Sequence, residues 1–168
     1  MKYSTGAGLM LLAAACTAEQ PATTVATPEA PATAAASSPT IGGDGSALEL
    51  RTLTGAVLPD LGGELGCSFS ADGATLLIAS GIVDRTTRSN AAIRRGGEVE
   101  QLVATGPGGY DGMVEGATTF GTSGMTIEIA TQTRNETGTE EVAYNATLRA
   151  MRADGAERTY NGTWTCGP

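Results

Sequence analysis

Residues 142–166 read Val142-Ala143-Tyr144-Asn145-Ala146-Thr147-Leu148-Arg149-Ala150-Met151-Arg152-Ala153-Asp154-Gly155-Ala156-Glu157-Arg158-Thr159-Tyr160-Asn161-Gly162-Thr163-Trp164-Thr165-Cys166. In the first half Val142, Tyr144, Ala146, Leu148 and Ala150 alternate with Ala143, Asn145, Thr147 and Arg149. In the second half Tyr160, Trp164 and Cys166 alternate with Thr159, Asn161, Thr163 and Thr165. A period of two sends one set of side chains to a buried face and the other to water, the pattern of half-buried strands. Asp154-Gly155 lies between the two runs and supplies the residues of a tight hairpin turn. The stretch therefore predicts an antiparallel hairpin with one wet face.

Working outward, the same grammar repeats. Asp72-Gly73 separates Cys67-Ser68-Phe69 from Leu76-Leu77-Ile78, Gly96-Gly97 separates Ile93 from Val99, and residues 121–124 separate Phe120 from Met125-Thr126-Ile127-Glu128-Ile129. Seven or eight short strands joined by hairpin-type turns predict an all-β domain over residues 46–168, either a small antiparallel barrel or a sandwich. Aromatic residues make up 4% of the chain, so the core must be thin and built on Val, Ile and Leu.

Before this domain the composition changes. Residues 17–45 are rich in Pro, Ala, Thr and Ser and contain Val25 and Ile41 as their only larger aliphatics. Such a segment cannot bury enough surface to offset its ordering entropy, which predicts a disordered tether. Pro21, Pro28, Pro31 and Pro39 bias it toward extended conformations, about 3 Å per residue. Residues 1–15 open with Lys2, continue through a short apolar run and end on Ala13-Ala14-Ala15, the order of an export signal peptide. That run is too short to cross a bilayer as a helix.

Leu12-Ala13-Ala14-Ala15-Cys16 resembles the lipobox of bacterial lipoproteins, with Ala13 where Leu is commonest. The resemblance implies cleavage before Cys16, acylation of that cysteine and anchorage to a membrane through lipid. By the same resemblance Thr17, where inner-membrane lipoproteins carry Asp, implies the periplasmic face of the outer membrane. The cysteine count agrees, because three cysteines are odd for an exported protein and lipidation of Cys16 leaves Cys67 and Cys166 as a pair. A bridge between them would close a loop of about 100 residues, which the chain-entropy account values at roughly 4 to 5 kcal/mol.

Charge and chemistry narrow the function. The net charge is -8, and with Lys2 in the cleaved segment the mature chain carries no lysine. Such a surface repels phosphate backbones and anionic headgroups, so nucleic acid is excluded as a partner and a basic protein is favoured. The chain has no histidine, which removes Ser-His and Cys-His nucleophilic systems and the commonest zinc ligand. Asp72, Asp111 and Asp154 each precede a glycine but lack the repeated spacing of a calcium loop. No metal or other cofactor is expected, and the domain is read as non-enzymatic, with Asp111 and Glu115 the only carboxylates close enough in a Gly-rich segment to consider as a pair.

Two features are candidates for partner binding. Gly106-Pro107-Gly108-Gly109-Tyr110-Asp111-Gly112 is too long for a simple hairpin and displays one aromatic, so Gly108, Gly109, Tyr110 and Asp111 form the candidate partner-binding loop, the alternative being a flexible connector with Tyr110 folded onto the barrel rim. Arg85, Arg88, Arg94 and Arg95 form the one basic cluster and are read as the flank of a solvated hairpin.

A small lipid-anchored β domain with Cys67 near its start, Cys166 near its end and Gly108-Gly109-Tyr110 between them is similar to the periplasmic lysozyme-inhibitor lipoproteins. That family's flattened barrel inserts loop residues into the lysozyme cleft, so the resemblance implies inhibition of C-type lysozyme as the alternative function. Pro107 stands where the family's loop has Ser, and the mature chain lacks the Lys of its second motif.

Overall fold

The computed structural model describes residues 38–168 apart from Glu136 and Thr139. The export signal, Cys16 and the tether as far as residue 37 lie outside the described residues.

A two-residue strand, β1 (Leu50–Arg51), is followed by β2 (Leu65–Ala71), β3 (Ala74–Gly81), β4 (Asn90–Arg95) and β5 (Glu98–Ala104). A short helix, α1 (Gly109–Glu115), leads to β6 (Thr118–Thr122), β7 (Met125–Asn135), β8 (Val142–Arg152) and β9 (Glu157–Gly167). From β2 to β9 each strand pairs antiparallel with the next, and β9 returns to pair with β2. The result is a closed eight-stranded barrel with β1 added beside β4, and closure removes the free edges that a sandwich would leave.

The turn chemistry explains the tight corners. Asp72 and Gly73 both have positive φ, 51° and 76°, as a type I′ turn demands of its two central residues. Inward positions alternate as the sequence predicts: Leu148 and Ala150 of β8 are buried, as are Tyr160, Trp164 and Cys166 of β9. Trp164, Phe69 and Phe120 supply the bulk of the interior, and Leu77, Ile93, Leu102 and Ile127 fill the remainder. Small barrels of eight strands are filled by side chains in this way, leaving no channel.

Closure is covalent as well. Cys67 and Cys166 sit opposite each other in the β2–β9 register with Cα atoms 4.0 Å apart, and their sulfurs are bonded. The disulfide joins the first and last barrel strands, 99 residues apart in sequence, at the seam.

An up-and-down meander sends alternate connections to opposite ends of the barrel. One end, the turn end, carries the four tight corners at Asp72-Gly73, Gly96-Gly97, Ser123-Gly124 and Asp154-Gly155. The other, the loop end, carries the longer connections 82–89, 105–117 and 136–141, together with the C-terminus. The chain reaches the barrel at the turn end: the Thr40 amide donates to the Glu157 carbonyl at 2.8 Å and the Gly43 amide to Asp154 at 3.0 Å. Among the described residues, backbone hydrogen bonds thus hold to the barrel a segment, from Thr40 to Gly43, that has little apolar surface. From there the chain crosses the outside of the barrel, with the Leu53 amide on the Thr75 carbonyl and the Glu64 amide on that of Gly81, and enters β2 from the loop end.

Candidate functional site

The Gly-rich segment expected as an open loop is instead the approach to a helix. Gly108 and Gly109 donate their amides to the Thr87 carbonyl at 2.9 and 3.1 Å, and the Tyr110 amide donates to Ile82 at 2.8 Å. These bonds pin the segment to the β3–β4 connection. Gly109 has φ of 54°, and a Cβ there would collide with the carbonyls of Asp84 and Ile82, so only glycine fits. The buried Ser89 hydroxyl donates to the Gly109 carbonyl at 2.7 Å.

α1 then lies across the loop end of the barrel. Met113 is fully buried in the core, and the Trp164 indole N–H donates to its carbonyl at 2.9 Å inside the barrel. Tyr110 is half-buried and packs against the core from above, one turn before Met113 and Val114. Burial, and then the neighbouring Asp111 carboxylate, push its phenol pKa up. The candidate residues Gly108, Gly109, Tyr110 and Asp111 are therefore together at the loop end, but the aromatic is folded onto the barrel and not held out into solvent.

Asp111 and Glu115 share one partner. Arg85 donates Nη1 to Glu115 Oε2 at 2.7 Å, bonds its second carboxylate oxygen through Nη2, and brings Nε within 3.4 Å of Asp111. The guanidinium holds the Glu115 carboxyl below the usual carboxylate range. A group so held stays ionised at neutral pH, whereas a general acid needs a raised pKa. Chemically the trio is a clamp that staples α1 to the β3–β4 connection.

The four arginines near one another in sequence are not a cluster in space. Arg85 and Arg88 sit at the loop end, and Arg94 and Arg95 close β4 at the turn end. An extended strand rises about 3.3 Å per residue, so about 20 Å separates Arg88 from Arg94. Arg95 pairs with Glu100 across the β4–β5 hairpin at 2.7 Å.

Between α1 and the β5–β6 junction a pocket of about 220 Å³ opens, lined by residues 104–109, 112–113 and 117–119 with Ser89. β5 and β6 pair at Val103–Gly121 and Ala104–Phe120, and the Thr105 amide donates to the Thr119 carbonyl at 2.9 Å, so the paired strands run up to the edge of the pocket. No charged side chain lines it. Elsewhere at the loop end Asp60, Glu64, Glu140 and Glu141, and with them Arg88, are exposed and make no ion pair among the described residues. Sequence reading missed Met113 and the pocket. The spacing of Tyr110, Met113 and Val114 at i, i+3 and i+4 was the available sign of a helix face; the pocket had no sequence signal.

No protein-family model matches the chain, and neither a curated protein nor a solved structure matches it.

Proposed function

We propose that this chain is a lipid-anchored, non-enzymatic protein of the bacterial cell envelope that presents the loop end of its barrel to a partner. The observation that carries the reading is the side on which the chain arrives. Thr40 and Gly43 pair at the turn end, so a tether running from a lipidated Cys16 reaches the barrel there. The opposite end, with α1 and the pocket, is then the face farthest from the point of attachment. Placement on the periplasmic side of the outer membrane follows from Thr17 in the lipobox context. Mass spectrometry of the membrane fraction tests the anchor: acyl chains on a mature chain that starts at Cys16 support it, and an unmodified soluble form starting elsewhere contradicts it.

A second reading, inhibition of C-type lysozyme, is favoured by the acidic side chains of the loop end, which complement a basic enzyme. Tyr110 weighs against it, because an inserting aromatic must project and this one is packed on the core. Slowed lysis of cell-wall substrate by a C-type lysozyme at micromolar protein or below supports this reading; no inhibition at that level removes it.

A further inference from the structure

We propose that the pocket between α1 and the β5–β6 junction is a binding site for one uncharged acetamido sugar ring, held open by Gly106 and Gly112. The proposal deepens the reading of the loop end as the presenting face and rests on it.

The argument starts from the glycines. Gly109 is glycine because nothing else fits, but Gly106 and Gly112 are different: neither has a positive φ, and a Cβ built on either meets no atom within 4 Å. Gly112 also lies inside a seven-residue helix, where glycine is a poorer choice than alanine. Neither backbone conformation nor packing asks for glycine at these two positions. Both line the pocket, where neither adds a side chain to the wall.

The lining then selects the occupant. A charged ligand would find no counter-ion among the lining residues. Thr105 and Thr118 donate hydroxyl bonds to the carbonyls of Thr119 and Gly112, each 3.3 Å long, which leaves the lone pairs of both oxygens able to accept from a ligand. Pro107, Met113 and Ala117 contribute apolar wall. Hydroxyl acceptors beside apolar wall suit a ring that carries both hydroxyl groups and an acetamido methyl. About 220 Å³ is below the roughly 300 Å³ at which sites for drug-sized ligands begin, so the pocket takes one ring and not an oligomer. The walls are already in place, since Ser89, Thr87 and Trp164 fix the segment and helix that form them.

The test is a titration of the isotope-labelled full chain with N-acetylglucosamine, followed by amide shifts, with glucosamine and glucuronate as the charged counterparts. Saturable shifts at Gly106, Gly112 and Thr118 with N-acetylglucosamine, weakened at least tenfold for both charged sugars, are expected. Gly112→Leu fills the pocket and should abolish those shifts with no fall in melting temperature; Thr118→Val removes one hydroxyl and should weaken binding several-fold should the larger change disturb the fold. Absence of saturable pocket shifts, equal response to the charged sugars, or shifts unchanged in both variants would overturn the proposal. Shifts of the same amides with propan-2-ol but not with the sugar would assign the pocket to an apolar side chain and equally overturn it. Acylation of Cys16 is read separately by mass, so a failed titration leaves the anchored-protein reading standing and a failed lipid mass leaves the pocket result intact.

Discussion

The two ends of this barrel are held by different physics. At the turn end, four short corners are closed by residues whose backbone suits them, and ion pairs surround them. Arg152 reaches both Asp44 and Asp154 at 2.6 Å, Arg149 bonds Glu157 at 2.7 Å, and Arg158 bonds Glu49 at 2.8 Å. At the loop end, the only ion pairs among the described residues are those of Arg85, and order comes from burial: Met113 in the core, Trp164 bonded to it, the disulfide at the seam. Exposed ion pairs stabilise little and are screened by salt, whereas a buried anchor removes alternatives. The lesson is that the end richer in charge contacts is the framework, and the end richer in glycine has been fixed by a few buried contacts and left open between them.

The strongest way to break this contrast is to remove the seam. Replacing Cys67 and Cys166 with alanine should cost about 4 to 5 kcal/mol by the chain-entropy account, read from the denaturation midpoint. Amide exchange in residues 142–145 and 163–167 should rise more than in the β8–β9 corner. Equal acceleration at both ends would show that the seam serves the whole barrel alike.

Next in size is Trp164→Phe. It keeps an aromatic ring but strands the buried Met113 carbonyl, at a cost of about 2 kcal/mol. Exchange in α1 should quicken while that at Gly155 stays put. Tyr110→Ala removes a half-buried ring that packs on the core and should lower stability by about 1.5 kcal/mol. A Tyr110 that projected into solvent would leave the midpoint unchanged and weaken partner binding instead.

The smallest effects separate the two ends by acid. Hydrogen bonds from Arg152 hold the Asp154 pKa at about 2, below its ordinary 3.8. A carboxyl depressed on folding contributes stability that is complete above its unfolded pKa and is lost as pH falls through the folded one. Contacts between residues 40–46 and the β8–β9 corner should therefore weaken between about pH 4 and pH 2, and Arg152→Gln should lessen that dependence, the backbone hydrogen bond from Ala156 to Asp154 remaining. The nuclear magnetic resonance shifts of Gly43 and Gly155 report it. Arg85→Gln should loosen α1 without moving the global midpoint measurably, because its partners are exposed.

What was legible in the sequence divides along the same line. The β8–β9 hairpin and all four tight corners could be read because alternation and turn residues are local signals, and the cysteine pair named the seam. The choice of barrel over sandwich could not, since it depends on β9 meeting β2 across the full length of the domain. α1 was hidden because Gly-Tyr-Asp-Gly-Met-Val-Glu is a poor helix by propensity and forms through tertiary bonds to Ile82 and Trp164. Arg88 and Arg94 looked like neighbours because sequence distance is short, and a strand turns six residues into most of the barrel's length.

The proposal that the loop end is the presented face, with the proposed tether joining the barrel at the turn end, is tested most directly on the lipidated full chain in bilayer discs doped with a paramagnetic headgroup. Broadening of the amides of Ser123 and Gly155 that exceeds that of Arg85 and Gly138 is the result predicted here. Stronger broadening at Arg85 and Gly138, or the same broadening at all four, would contradict it.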